Sequence, residues 1–176
     1  MTPILRPLGP EDVSDRARTI FEDFLRERGN IPNMFRTLAH RPALLETAFA
    51  HFRAVMSPDG AVPLRVKELV TLAVSFDNAC DYCVASHSAL ARKLGVAEEL
   101  LQDVKAGNLS QLGPAERAAV DLARAMAAGG KGIPRSLTDA VKEHYGDVGL
   151  LEVVAVAGLF HYFNRFNNTL EVEVTR

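Results

Sequence analysis

Along most of the chain apolar residues return every three or four positions, and the breaks in that rhythm fall on glycine and proline. Val13, Ala17, Ile20, Phe21, Phe24 and Leu25 mark one apolar face over 11–28, and Gly29 ends it. In "NIPNMFRTLAH" Pro32 suits a first-turn position, and Pro42 opens a helix over 43–56 that stops at the turn "SPDG". Pro63 starts a helix reaching residue 77, with Leu64, Leu69, Val70, Leu72, Ala73 and Phe76 apolar. Asp77 or Asn78 is placed to cap the next helix, which stops at Gly95. A short helix over 97–105 closes at Gly107, and Pro114 opens "PAERAAVDLARAMAA", stopped by Gly129 and Gly130. Helices over 136–145 and 148–168 follow. The final "LEVEV" alternates like a strand but has no second strand to pair with, so an arm or extended tail is expected. No repeat, low-complexity tract or long linker divides the chain. The pattern predicts one all-α bundle over 1–176, with 1–30 as a helical extension.

Composition narrows the functions. Apolar residues make up 48 % of the 176, enough for a core, and the net charge of −2 is spread as interspersed signs. No basic stripe follows a phosphate backbone, so no nucleic-acid partner is expected. The start "MTPILRPLGPEDV" has no apolar signal core. The most apolar run, "LLEVVAVAGLF", is shorter than the ~20 residues of a membrane span and carries Glu152. The reading is a soluble, cytoplasmic protein with no membrane partner. In a reducing cytosol two cysteines do not build a disulfide framework, and close spacing points to metal binding or redox chemistry.

Both cysteines of the chain lie in "NACDYCVASH". Cys80 and Cys83 are i and i+3, and Cys83 and His87 are i and i+4, so all three share one face near a helix start. The free N–H groups and positive dipole end there favour thiolate over thiol. His87 can serve Cys83 as base or hydrogen-bond partner. Glu68 lies about as far before the bend at 77–78 as His87 lies after it. If the two helices fold back as a hairpin, Glu68 faces His87 and fixes its tautomer.

These residues carry a resemblance. Glu68, Cys80, Cys83 and His87, within "LRVKELVTLAVSFDNACDYCVASHSALARKLG", resemble the active-site signature of the AhpD-like, carboxymuconolactone decarboxylase superfamily. The resemblance extends upstream to "IPNMFRTLAHRPALLETAFAHFRAVM" and downstream to "GLFHYFNRFNNTLEVE". It implies an AhpD-like helical bundle with the C-x-x-C at the N-terminus of a central helix, assembled as a homo-oligomer, a trimer or hexamer. It implies a thiol-dependent peroxidase that needs no cofactor and no metal. Cys83 would attack a hydroperoxide, Cys80 would resolve the sulfenic acid as a disulfide, and Glu68 and His87 would relay protons. A dithiol or disulfide reductant, not identified by the sequence, would restore the thiols. One departure is Tyr82, which stands where the family's best-known peroxidase has a histidine; a phenol donates hydrogen bonds but is a poor base near neutral pH.

Other readings stay open on the residues alone. Cys80, Cys83, His87 and Glu68 make a plausible zinc set, although positions on one helix constrain ligand angles. Glu68 and His87 alone could act as acid and base on a small lactone acid, as in the decarboxylase branch, leaving the cysteines dispensable. A redox sensor would use the dithiol only to switch. His161, Tyr162, Asn164, Arg165, Asn167 and Asn168 crowd the end of the last helix, as a polar wall of the pocket or a subunit contact; the asparagines read rather as helix-end hydrogen-bonding groups on a solvated face. Arg65 and Lys67 read as surface charges. Phe35, Phe49, Phe52 and Met56 read as ordinary core, with an apolar pocket or subunit contact as the alternative.

Overall fold

One helix, α4 (Leu64–Asp77), is buried along every residue from 66 to 75. Such a helix has no solvent face, so apolar periodicity cannot say which side its polar residues take. The computed structural model describes residues 2–175, and among these the chain forms eight α-helices, a short 3-10 turn at Pro10–Asp12 and no strand. The architecture is the all-α, AhpD-like bundle expected. The described residues group into two compact units, 55–165 and 2–54 with 166–175.

In the first of these, α4 packs with α5 (Asp81–Lys93), α6 (Glu98–Ala106) and α7 (Pro114–Ala127). Leu69, Leu72 and Ala73 of α4 meet Ala91 of α5, Leu101 and Val104 of α6 and Val120 of α7 in one buried cluster. Each large aliphatic side chain buried there contributes about 1.5–3 kcal/mol. The last helix, α8 (Arg135–Leu170), is broken at Gly146, whose φ of 69° and ψ of −172° leave helical space. The break separates the two helices expected over 136–145 and 148–168. A stretch of α8 is long and apolar enough by length and composition to cross a bilayer, which the sequence reading did not find. Here Val153, Val156, Ala157, Phe160 and Phe163 are buried, and Glu152 is paired with a lysine.

That lysine is Lys67, and it is a correction. The sequence reading placed it on the surface, but it is only 1 % exposed. Its Nζ lies 3.1 Å from Glu152 Oε2 and donates to the Ser57 carbonyl at 2.9 Å. Glu152 also accepts from the Ala61 and Val62 N–H groups at 2.9 and 3.0 Å. Burial pushes its carboxyl up, but those two N–H groups and Lys67 hold it net below the ordinary range. A Cβ at Gly60 would collide with the Glu152 carboxylate, so a side chain there would displace that carboxylate.

The other unit contains α1 (Asp15–Arg28), α2 (Asn33–Leu38) and most of α3 (Pro42–Val55). Phe24, Phe35, Phe49 and Phe52 form an aromatic cluster, with centroid separations of 4.7 Å for Phe24–Phe35 and 5.7 Å for Phe35–Phe52. The core reading holds for Phe35, which is buried, whereas Phe49, Phe52 and Met56 are half-buried. Leu25, assigned to the apolar face of α1, is instead 46 % exposed. The "LEVEV" tail is extended and unpaired as strand: Asn33 donates its backbone N–H to Thr175 Oγ1 at 2.8 Å and its Nδ2 to the Glu173 carbonyl at 3.1 Å.

Candidate functional site

The bend between α4 and α5 is built from backbone hydrogen bonds. The Cys80 N–H donates to the Ser75 carbonyl at 2.9 Å, and the Ala79 N–H to the Phe76 carbonyl at 3.1 Å. This pair of bonds is a Schellman motif, which places its C′ residue in the left-handed region. That residue is Ala79, at φ 49°, where glycine is usual. Cys80 then serves as N-cap of α5, and its carbonyl accepts from the Val84 N–H at 2.9 Å. The expectation that Asp77 or Asn78 caps α5 is corrected: Asn78 is the C-cap of α4.

The same bend sets the register of the hairpin. Ser75 meets Cys80 beside the turn, and Glu68 meets His87 the same number of residues out along each arm. Glu68 Oε2 lies 2.7 Å from His87 Nδ1, and the carboxylate is only 3 % exposed. The hairpin geometry inferred from spacing is therefore present. A carboxylate at Nδ1 holds a proton on that nitrogen and leaves Nε2 as the basic atom of neutral imidazole. Phe160 of α8 packs against the His87 ring edge to face, at 4.7 Å and 84°.

Cys80 and Cys83 are buried, no disulfide joins them, and they approach to 3.3 Å, longer than the ~2.05 Å of an S–S bond. Both sit at the positive end of the α5 dipole, Cys80 at the N-cap and Cys83 in the first turn. Cys83 precedes His87 by one turn on the same face. Tyr82, between the cysteines, is buried as well.

A polar network ties α8 to this bend, and the sequence reading missed most of it. Asn78 Nδ2 donates to Asn164 Oδ1 and to His161 Nδ1, each at 3.0 Å. Asn164 Nδ2 donates to Ser75 Oγ at 3.1 Å. Asn164 is fully buried, which overturns its placement on a solvated face. Arg165 Nη1 donates to His161 Nδ1 at 3.0 Å. Burial, joined by the Arg165 guanidinium, holds His161 below the usual imidazole range against a smaller upward pull from Asp77. The signal available in the sequence was the i, i+4 spacing of Phe160 and Asn164 on the buried face of α8.

Among the described residues no group of three or more His, Cys, Asp or Glu side chains is arranged to hold a metal ion. Glu68, one member of the zinc set, is engaged by His87. A cavity of about 520 Å³ lies in the other unit, lined by residues including Asn30, Asn33, Arg36 and Thr175, and holds neither cysteine.

Residues 42–125 match the carboxymuconolactone decarboxylase family. An uncharacterized protein of Cupriavidus necator is 30 % identical over 83 residues, spanning 47 % of this chain and 74 % of the relative. Among solved structures, an alkylhydroperoxidase AhpD core, an uncharacterized peroxidase-related protein from Ralstonia eutropha JMP134, is 27 % identical. It superposes with a TM-score of 0.89 over 99 % of this chain and 94 % of that one. The debrominase Bmp8 in its apo form is 20 % identical, with a TM-score of 0.83 over 99 % of this chain and 94 % of its own, a likeness of fold alone.

Proposed function

This chain belongs to the AhpD-like, carboxymuconolactone decarboxylase superfamily, and from that premise we propose that it is a thiol-dependent peroxidase working through a Cys80/Cys83 dithiol–disulfide cycle. One observation carries the reading: two cysteines within contact distance at the start of α5, one turn from an imidazole whose Nδ1 is held by a buried carboxylate.

Cys83 is the attacking residue, because it lies one turn from His87. His87 Nε2 takes the Cys83 thiol proton while Glu68 stabilises the charge that forms on the ring. The helix N-terminus stabilises the thiolate. The thiolate attacks one oxygen of a hydroperoxide, the O–O bond breaks, and the leaving oxygen receives the proton from His87 as an alcohol. Cys83 is left as the sulfenic acid. The Cys80 thiol then displaces hydroxide from that sulfur, forming the disulfide and water. A dithiol donor reduces the disulfide by exchange. The setting is a reducing cytoplasm and the active form a homo-oligomer, for which the exposed Val148, Leu151 and Tyr162 of α8 offer apolar surface.

Intact mass and thiol alkylation, before and after one equivalent of cumene hydroperoxide, test the cycle. The expected result is loss of both alkylatable thiols with a mass drop matching one disulfide. Thiols that persist in folded protein refute it. In that case a lactone acid becomes the substrate to assay, since decarboxylation would use Glu68 and His87 and leave both cysteines dispensable.

A further inference from the structure

The polar network at the bend leaves one strong hydrogen-bonding atom unsatisfied. His161 Nδ1 receives two donors, Asn78 Nδ2 and Arg165 Nη1. A guanidinium has no acceptor, so Nδ1 must carry its lone pair there. The Nδ1 lone pair is thereby committed, and the proton of the neutral ring sits on Nε2. That Nε2–H is buried and has no hydrogen-bond partner among the described residues. Buried donors are satisfied almost without exception in folded proteins, and the exceptions gather at functional sites.

Its position gives it a use. The ring is bound to Asn78, two residues before Cys80, and lies on α8 between Phe160, which packs on His87, and Asn164, which bonds Ser75. Ser75 in turn accepts from the Cys80 N–H. A second orphan stands on the same face of α4 as Glu68 and Ser75: Thr71 Oγ1, fully buried and also without a partner among the described residues. The hairpin register puts position 71 opposite 83–84. Two unsatisfied polar atoms therefore lie on the two helices that pack against the arm carrying the dithiol, Thr71 Oγ1 on α4 and His161 Nε2 on α8.

We propose that His161 donates a hydrogen bond from Nε2 to the leaving oxygen of the hydroperoxide as the O–O bond breaks, with Thr71 as a second polar contact for the substrate. This rests on the peroxidase reading and adds to it a residue that touches substrate. Charge grows on the leaving oxygen as Cys83 sulfur attacks, and a preformed donor in a buried site stabilises that charge. His161 keeps its proton throughout; the proton that completes the alcohol comes from His87, so the balance of the step is unchanged.

The test compares the full-length wild-type protein with His161→Phe and His161→Gln. Phenylalanine fills the space of the ring without a donor, whereas glutamine returns an N–H near the ε position. Oxidation by cumene hydroperoxide in a single turnover is expected to fall about 10²-fold in His161→Phe and to be largely restored in His161→Gln. Reaction with an aryl disulfide, which has no leaving oxygen, should stay within about twofold in both, as should the pH profile of thiol alkylation. Equal loss toward hydroperoxide and aryl disulfide, or no loss toward either, overturns the assignment. Nitrogen-15 NMR of the histidine ring gives a readout independent of turnover and of any variant's folding. An Nε2–H tautomer is expected at neutral pH, and an Nδ1–H tautomer overturns the proposal. Wild-type protein inert to hydroperoxide sinks the peroxidase reading and this proposal together, whereas an active wild type with an unaffected His161→Phe sinks this proposal alone.

Discussion

Glu68 and His87 meet inside the protein at 2.7 Å, joined across a helical hairpin whose bend carries Cys80. Each residue restricts the other: the carboxylate fixes the imidazole tautomer, and the imidazole gives the buried carboxylate its partner. Glu68→Gln keeps the shape but removes the charge that stabilises an imidazolium. The rate of Cys83 oxidation by hydroperoxide is expected to fall about 10²-fold in Glu68→Gln and as much or more in His87→Ala, read by stopped-flow in single turnover. Wild-type rates in both would remove the pair from the relay.

The cysteines should be distinguishable by stoichiometry. Cys83→Ser is expected to abolish hydroperoxide consumption. Cys80→Ser should consume one equivalent and stop, with a sulfenic acid that dimedone traps. Continued turnover in Cys83→Ser, followed by peroxide assay with a dithiol donor, contradicts the assignment of roles.

Ala79 holds a left-handed conformation that costs an L-residue about 1–2 kcal/mol. Ala79→Gly should recover part of this and raise unfolding stability by about 0.5–1 kcal/mol, after glycine's larger unfolded-state entropy is set against it. A denaturant titration measures it. A loss of stability would mean that the methyl group contributes packing that outweighs the backbone term.

Lys67 and Glu152 form the ion pair that fastens the 57–62 loop to α8. Glu152→Gln leaves a buried ammonium without its counter-charge. The expected cost is about 2–3 kcal/mol, below the 3–5 of a fully buried pair because the Glu152 side chain is 20 % exposed. The pH dependence follows from the direction of the shift. A carboxyl held below its unfolded value contributes stability that is fully present above that unfolded value. That contribution is lost as pH falls through the folded value. The wild type should therefore lose more stability than Glu152→Gln across the acid limb of a thermal-melt series; parallel limbs would contradict this.

The oligomer can be checked in solution. Sedimentation velocity at micromolar concentration is expected to show an assembly larger than one chain, and Leu151→Glu, on the exposed face of α8, is expected to weaken it. A monomer at that concentration refutes the expectation.

Much of this was readable in the sequence where the signal was local. Glycine and proline marked most of the helix ends, and the separate helices over 136–145 and 148–168 matched the break at Gly146. The C-x-x-C with its histidine fixed one helix face, and counting back from the bend brought Glu68 opposite His87. What could not be read were pairings between residues far apart on two helices. Lys67 looked like a surface lysine because α4 is buried all round and has no polar face to contrast with. Its partner, Glu152, was visible only as a charge in an apolar run. Asn164 looked like one more polar residue near a helix end, and nothing in its neighbours pointed to Ser75 or Asn78. The capping role of Asn78 was misplaced because asparagine suits both ends of a helix, and only the left-handed Ala79 decides between them.

The matched spacing along the two arms of the hairpin makes chain length at the bend a functional quantity. An α-helix turns about 100° per residue, so one residue inserted or deleted between Ser75 and Cys80 rotates all of α5 against α4 by more than a quarter turn. Every amino acid named in the site could remain while Glu68 and His87 ceased to meet. Substitution scans would then describe the bend as tolerant, and only an insertion–deletion scan would reveal that phase, as much as chemistry, is what the segment encodes.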